Sequence, residues 1–149
     1  MGKRIATYYS SKFALQINIS KESFQLTSIS SAKLTVINLY RSSNCNDASL
    51  IESLRELFLT DKSIVLCGDF NICQRDECNH MLLSYLRKNK FIPGFNPAQS
   101  SHISGRCIDQ VHIRLEKNIQ VQNIDLEPCY FSDNDKLNLI LFYNESENK

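Results

Sequence analysis

The residues best suited to chemistry follow a short apolar run in the middle of the chain. The run from Ile64 to Cys67 is continuously apolar and bounded by polar or turn-forming residues, which predicts a strand buried on both faces. Asp69 and Asn71 come directly after it, and strand alternation predicts that their side chains point to the same side. A carboxylate and a carboxamide at the mouth of a buried strand are typical of ligand sites in open α/β sheets. The alternative is an Asp-Phe-Asn turn that only ends the strand.

Two further acidic positions accompany apolar runs near the C-terminus. Cys107 to Arg114 predicts a strand, and Asp109 lies inside it among apolar neighbours. A carboxylate in such a run must be ion-paired, hydrogen-bonded or metal-bound. A second acidic stretch, Phe131 to Asp135, immediately precedes a final apolar strand from Leu137 to Tyr143.

The elements that must position these residues can be read from periodicity. Short apolar or alternating runs with brief polar links predict strands, and the closeness of the early ones predicts antiparallel pairing. These strands are Arg4 to Tyr9, Phe13 to Ile19, Glu22 to Ile29, Lys33 to Tyr40 and, later, Ile119 to Ile124. Pro93, Gly94 and Pro97 predict a loop from Phe91 to Ser104.

Two segments show the apolar spacing of amphipathic helices. The first follows a capping-box pattern of Ser49 with Glu52, and the second should begin near Asp76 and Glu77. The predicted stripes are Leu50, Ile51, Leu54, Leu57 and Phe58 in the first helix and Cys78, Met81, Leu82, Tyr85 and Leu86 in the second. Both stripes should pack on a sheet.

Bulk properties place few limits on function. The chain has 149 residues and a net charge of +1, which is consistent with one domain, residues 1–149, and gives no overall attraction to nucleic acid. No apolar run is as long as a membrane span, and the N-terminus does not have the form of a signal peptide. We therefore expect an intracellular protein with free thiols that is neither secreted nor membrane-bound.

Four motifs in order resemble the endonuclease/exonuclease/phosphatase superfamily, whose fold is the DNase-I-like α/β sandwich. They are Val36-Ile37-Asn38-Leu39-Tyr40-Arg41, Cys67-Gly68-Asp69-Phe70-Asn71, Ser101-His102-Ile103-Ser104-Gly105-Arg106-Cys107-Ile108-Asp109 and Ser132-Asp133-Asn134. The chain looks like the C-terminal part of such a domain, with the first strands absent. It is most similar in character to the endonuclease domains of mobile elements, including non-LTR retrotransposons and Helitron-like transposons.

The resemblance implies hydrolysis of phosphodiesters or phosphomonoesters with Mg²⁺, or Mn²⁺ in its place, and nucleic acid, DNA above all, as the partner. Asp69 would orient or deprotonate the attacking water, and Asn71 would donate a hydrogen bond to a phosphate oxygen. Tyr40 would reach the phosphate through its hydroxyl. The resemblance further implies that Asp109 holds and polarises the catalytic histidine. Asp133 and Asp69 would bind the metal.

Two departures from the family pattern bear on activity. Position 134, where the family has its catalytic histidine, is asparagine, which cannot carry a positive charge or relay a proton. The family's first strands also carry an asparagine and a metal-binding glutamate, and nothing before Lys3 supplies them. The sequence thus leaves open an endonuclease domain that needs a missing N-terminal segment and a catalytically dead remnant that binds nucleic acid or protein. A phosphatase or phospholipid phosphodiesterase of the same superfamily ranks below both.

Two further expectations concern the stability of the chain without the family's first strands and its location in the cell. An uncovered sheet edge or core patch tends to aggregate, so we expect marginal stability or self-association. An enzyme acting on DNA would be intracellular, with the nucleus as the compartment to examine. The sequence does not distinguish DNA from RNA or define a cleavage site.

Overall fold

The computed structural model of the chain describes residues 12–73, 80–94, 107–117, 119–127 and 136–143. The predicted strand from Arg4 to Tyr9, most of the third motif and the Ser132-Asp133-Asn134 motif lie outside these residues. The described strands are β1 (Ala14–Ser20), β2 (Phe24–Ser30), β3 (Leu34–Arg41), β4 (Ser63–Asp69), β5 (Ile92–Pro93), β6 (Asp109–Arg114), β7 (Ile119–Glu127) and β8 (Lys136–Tyr143). The described helices are α1 (Asp47–Phe58) and α2 (Met81–Lys88).

Six of the described strands form one mixed sheet in the order β1-β2-β3-β4-β6-β5. The three early strands pair antiparallel, as their short links predict. Strand β4 runs parallel to β3, which α1 makes possible by crossing between them, and antiparallel to β6. The strand predicted to be buried on both faces therefore has a neighbour on each side.

Helix α1 confirms the first predicted stripe but not the predicted cap. Leu50, Leu54, Leu57 and Phe58 are buried. The N-cap is Asn46, whose side chain accepts a hydrogen bond from the backbone N–H of Ser49. The capping box at Ser49 was a wrong prediction, because Asn46 is an equally good cap and lies one turn earlier. Ser49 instead occupies the first turn, where its hydroxyl accepts a hydrogen bond from Lys21 Nζ.

Helix α2 corrects the second predicted stripe. The described helix begins at Met81 after His80 as N-cap, and its buried residues are Leu82, Leu83 and Leu86. Met81 is exposed, because the first residue of the helix lies at the edge of the packed stripe. Residues Asp76, Glu77 and Cys78 lie outside the described residues.

The elements form three layers. Both helices cover one face of the six-stranded sheet and share a core with its strands, centred on Phe24, Leu26, Ile37, Leu39, Ile64 and Leu66. The opposite face carries a smaller core of Val65, Cys107, Val111 and Ile113, and residues Val121 and Ile124 of β7 pack against it. Strands β7 and β8 form an antiparallel two-stranded sheet, so the two sheets face each other across this second core. This is an α/β sandwich.

The segment predicted as a loop from Phe91 to Ser104 contains one short strand. Ile92 and Pro93 form β5 at the edge of the sheet beside β6. Proline lacks a backbone N–H. It is tolerated in an edge strand because no further strand lies on the outer side to accept a hydrogen bond from that position. Neither described helix is long and apolar enough to cross a membrane.

Candidate functional site

Three of the predicted site residues form a row across neighbouring strands. In the β-ladders Tyr40 of β3 is the partner of Asp69 in β4, and Asp69 is the partner of Asp109 in β6. Ladder partners point to the same face of a sheet. The row four residues earlier on β3 and β4, and four residues later on the antiparallel β6, consists of Val36, Val65 and Ile113. This row belongs to the core between the two sheets. The row Tyr40–Asp69–Asp109 therefore lies on the inter-sheet face, at the carboxyl end of β4.

The two aspartates of this row face each other closely. The backbone N–H of Phe70 donates to the carbonyl oxygen of Ile108 at 2.9 Å, which makes Asp69 and Asp109 the adjacent non-hydrogen-bonded pair. Such pairs have the shorter Cα separation, about 4.5 Å, and the closest side chains. The Oδ2 oxygen of Asp109 is buried. Two carboxylates set opposite each other across a ladder are close enough to act on one shared ion or water molecule.

Gly68 sets the approach of Asp69 to β3. Its φ is +134°, and a Cβ added there would overlap the carbonyl oxygen of Leu39 and lie 2.9 Å from the carbonyl carbon. Only glycine adopts this conformation without strain. The close contact lets β4 run tightly against β3 up to the residue before the carboxylate.

Asn71 lies in a turn beyond the end of the strand. Its φ is +49°, in the left-handed region that asparagine tolerates, and its backbone N–H donates to Asp69 Oδ1 at 3.0 Å. Its side-chain Nδ2 donates to the carbonyl oxygen of Arg41 at 2.7 Å. That Asp69 and Asn71 point to the same side stays a prediction, because β4 ends at Asp69 and strand alternation does not extend into a left-handed turn. The two residues are nevertheless joined through this turn.

Arg41 holds the same turn through its side chain. The residue is buried, and its Nη1 donates to the carbonyl oxygen of Phe70 at 3.3 Å. Its Nε and Nη2 donate to the carboxylate of Asp47 at 2.8 and 3.3 Å. Nη1 also donates to the carbonyl oxygen of Ser42 at 3.1 Å, and Nη2 lies 3.5 Å from His80 Nε2. Sequence reasoning noticed Arg41 only as the last letter of a motif, and no sequence pattern marks Asp47 or His80 as its partners.

A buried polar pair supports the turn from the helix-facing side of β6. Gln110 Nε2 donates to the carbonyl oxygens of Ile72 and Cys107, at 2.6 and 3.3 Å. Its Oε1 therefore accepts from His112 Nε2, at 2.8 Å, which places the imidazole proton on Nε2. Burial lowers the pKa of His112 from 6.5 to about 4, because the charged imidazolium loses its hydration there. The ring of His112 also packs on Phe70, with centroids 5.2 Å apart.

The remaining predicted site residues, Asp133 and Asn134, lie outside the described residues, so their predicted roles stay predictions. They belong to the segment between β7 and β8. Within the part of the chain that the structure describes, no group of three or more acidic, histidine or cysteine side chains is placed to hold a metal ion. Asp69 and Asp109 nonetheless supply carboxylate oxygens, the donor type that Mg²⁺ prefers when water and phosphate complete its shell. Their chemistry fits the predicted ion.

Comparison with known sequences gives no relative. No protein-family profile matches the chain, and no curated protein sequence matches it either.

Solved structures are similar in fold. The human Nocturnin catalytic domain matches with a TM-score of 0.58 at 12% identity, over 92% of this chain and 62% of that chain. The endonuclease domain of TRAS1, a telomere-specific non-LTR retrotransposon, matches with a TM-score of 0.59 at 12% identity, over 83% and 65%. An endonuclease/exonuclease/phosphatase family protein from Bacteroides thetaiotaomicron matches with a TM-score of 0.56 at 12% identity, over 93% and 69%.

Identities this low establish the fold and leave activity to be argued from the site. The chain spans about two thirds of the length of these structures. The match nevertheless extends over 83 to 93% of this chain, and the sequence resemblance had already suggested the same fold. The chain has the DNase-I-like α/β fold of the endonuclease/exonuclease/phosphatase proteins.

Proposed function

We propose that this chain carries part of a Mg²⁺-dependent endonuclease site that hydrolyses phosphodiester bonds in nucleic acid, with DNA as the substrate to test first. The observation that carries the proposal is the row Tyr40–Asp69–Asp109 on one face, at the carboxyl ends of β3 and β4 and the amino end of the antiparallel β6. Two carboxylates set directly opposite each other reduce stability unless a positive charge is shared between them. A divalent cation such as Mg²⁺ is commonly bound by one or two carboxylates together with water and phosphate oxygens.

The proposed roles follow from where the described groups lie. Asp69 would orient or deprotonate the attacking water, and the Asn71 turn would keep its carboxylate in place through the 3.0 Å hydrogen bond to Oδ1. The Asn71 amide has two N–H bonds, and the Arg41 carbonyl takes one of them. The other is the donor we assign to a phosphate oxygen. Tyr40, next to Asp69 in the ladder, would donate its hydroxyl to the same phosphate.

Asp69 and Asp133 are the residues we propose to hold Mg²⁺. When bound, the ion would neutralise the negative charge of the phosphodiester, which otherwise repels an incoming hydroxide. Mn²⁺ has similar ligand preferences and is the alternative ion to test. Asp109, opposite Asp69, would hold the side chain at position 134.

Asparagine at position 134 favours a second candidate. A well-placed acid–base group contributes about a hundred- to ten-thousandfold to rate. Its loss is consistent with a catalytically dead domain that binds nucleic acid or another protein through the same surface. The TRAS1 similarity supports an origin in a mobile element for either candidate. For a DNA substrate we propose an intracellular site of action that includes the nucleus.

A nicking assay on supercoiled DNA in Mg²⁺ tests the proposal. Four proteins are compared: the chain, its Asn134→His variant, and both forms extended by the N-terminal segment of the TRAS1 endonuclease domain. We expect no detectable nicking by the chain or by the point variant. We expect more from the extension than from the histidine, and most from the two together, because a proton relay beside a poorly held metal contributes little.

Each protein carries an Asp69→Ala control against contaminating nuclease and an Asp61→Ala control, since Asp61 is exposed and lies before β4. Nicking that needs Asp69 but not Asp61 in the extended histidine protein supports the proposed site. If no protein nicks and DNA binding is the same with and without Asp69, the binding module replaces the nuclease. If the unmodified chain nicks and its Asp69→Ala control does not, Asn134 is catalytically tolerated.

A further inference from the structure

The buried guanidinium of Arg41 is organised around the Asp69–Asn71 turn. Its carboxylate partner is Asp47, bound through both Nε and Nη2. A bidentate contact of this kind fixes the plane and direction of the guanidinium, in addition to neutralising its charge. Asp47 is in the first turn of α1, so the start of that helix determines where the guanidinium points.

Arg41 contacts the turn at two places that belong to consecutive residues. The guanidinium Nη1 donates to the carbonyl oxygen of Phe70 at 3.3 Å. The backbone carbonyl of Arg41 accepts from Asn71 Nδ2 at 2.7 Å. The backbone N–H of Asn71 then donates to Asp69 Oδ1 at 3.0 Å. The turn is therefore hydrogen-bonded to Arg41 twice, by the guanidinium at Phe70 and by the Arg41 backbone carbonyl at Asn71, and Asn71 in turn donates to the carboxylate.

His80 joins α2 to the same cluster. Its Nδ1 accepts from the backbone N–H of Leu82 at 3.3 Å, as the N-cap of α2. In the neutral ring the proton is then on Nε2, which lies 3.5 Å from Asp47 Oδ2, so His80 acts on Arg41 through Asp47 and does not accept a hydrogen bond from Nη2. The starts of α1 and α2 thus both converge on Arg41 through Asp47 and His80.

We propose that Arg41 is a positioning residue that holds the Asp69–Asn71 turn, and that Asp47 and His80 hold Arg41 in the required orientation. The catalytic meaning of this role rests on the proposed function, but the ordering of the turn does not. A buried ion pair contributes little net stability compared with apolar residues of similar volume. Reactive groups, in contrast, must be held within about 0.5 Å of their working position by a supporting shell. The need to hold reactive groups in position, and not a gain in stability, explains why Arg41 is buried and fixed at several points.

Amide hydrogen exchange measured by NMR on the full chain tests this role without any need for activity. The key variant is the double change Arg41→Met with Asp47→Leu, which replaces the ion pair by apolar side chains and leaves the Arg41 backbone carbonyl in place. We expect the exchange rate of the Asn71 amide, relative to that of the core amide of Leu66, to rise about tenfold or more, which is roughly 1.4 kcal/mol of local order. The single change Arg41→Gln should raise it further, since it leaves Asp47 buried without its cation.

Arg114→Gln is the matched control. Arg114 also donates to backbone carbonyls, those of Phe58 and Thr60 at 2.9 and 3.2 Å, but at the other end of the sheet. Its loss should leave the Asn71-to-Leu66 ratio unchanged. An unchanged ratio in the double variant would overturn the proposal. A double variant that does not fold would overturn it too, because Arg41 would then act through global stability. Nicking by the extended protein is measured separately, so a failure of the nuclease proposal is distinguishable from a failure of this one.

Discussion

Polar side chains are arranged differently at the two ends of the six-stranded sheet. At the end where β4 begins, Lys62 Nζ donates to Ser30 Oγ at 2.9 Å and to the Ser31 carbonyl at 2.7 Å. Ser30 in turn shares a hydrogen bond with Thr35. Every polar group named here has a partner of complementary type. At the end where β4 finishes, the carboxylates of Asp69 and Asp109 are ladder partners. Gly68 before Asp69 and Asn71 after it both have a positive φ.

This difference separates structural polar groups from candidate functional ones. At the end where β4 begins, which we call the Lys62 end, other well-paired side chains could take the place of Lys62, Ser30 and Thr35. The end where β4 finishes is called the Asp69 end. The Asp69 end combines two facing carboxylates with restricted backbone conformations, and restricted conformations reduce stability unless something else is gained. Local departures of this kind concentrate at functional sites. The following predictions test this difference, from the largest expected effect to the smallest.

Gly68→Ala should have the largest effect on stability. The added methyl would overlap the Leu39 carbonyl, and the φ of +134° is strained for any residue with a Cβ. We expect a loss of about 3 kcal/mol or more in the free energy of unfolding, measured by urea denaturation. Gly94→Ala is the comparison variant: its methyl would meet only side-chain carbons, Ile124 Cδ1 at 2.8 Å and Val111 Cγ1 and Cβ at 2.9 and 3.0 Å, and its φ is not positive, so its loss should be smaller. An equal loss in the two variants would show that the Asp69 end has no special backbone demand.

Acidification should weaken the fold through His112. Its pKa is lowered to about 4 in the folded protein, so the unfolded chain binds a proton first as the pH falls. The stability contributed by the neutral ring is fully present above about pH 6.5 and is lost between there and about pH 4. The loss should be roughly 3 kcal/mol, at 1.36 kcal/mol per pKa unit.

Denaturant titrations at several pH values measure this effect. His112→Gln is the matched variant, because an amide can still donate to Gln110 Oε1 but does not titrate. The difference in pH slope between the two proteins isolates the histidine from the acidic residues. Identical slopes would refute the low pKa of His112.

Asp69→Asn should raise stability in the absence of a divalent cation. It removes one of two facing charges and keeps an oxygen to accept from the Asn71 N–H. We expect a gain of about 0.2–1 kcal/mol in the presence of EDTA at neutral pH. Added Mg²⁺ should raise the melting temperature of the unmodified chain and not that of the variant. Asp61→Asn, at an exposed position, should behave like the unmodified chain, and a loss of stability in Asp69→Asn would contradict the repulsion.

Lys62→Met should have the smallest effect on the candidate site, because the change lies at the opposite end of the sheet. The change removes the hydrogen bonds to Ser30 and Ser31 but keeps most of the side-chain length. A partly exposed group of this kind contributes about 1 kcal/mol or less. Amide exchange at Asn71 relative to Leu66 should not change, and an increase there would mean that the two ends of the sheet are coupled.

Much of the fold could be predicted from periodicity. The strands β1 to β4, β6, β7 and β8 and both helices were expected within a few residues of where they occur. The errors fall where two local signals compete. Asn46 and Ser49 are both good caps, and only the packing of α1 on the sheet selects the earlier one. Strand β5 was missed because its two residues carry no period and exist only through pairing with β6.

The candidate site was predicted in part. Asp69, Asp109 and Tyr40 were named from the motifs, and the structure brings them together in one ladder row. Their roles, and those of Asp133 and Asn134, remain predictions. The residues that hold the Asp69 turn were missed because they come from three different elements. Arg41, Asp47 and His80 have no common spacing along the chain that a pattern could reveal.

By itself the sequence determined the alternation of buried strands and amphipathic helices, because each depends on residues close together along the chain. It also placed a glycine and an aspartate at the end of the most apolar strand. Only the tertiary structure decided that Asp69 faces Asp109 in a non-hydrogen-bonded pair, since the register of β6 on β4 is a long-range property. It also decided that Asn71 turns back to Arg41, because a single left-handed residue ends the strand alternation.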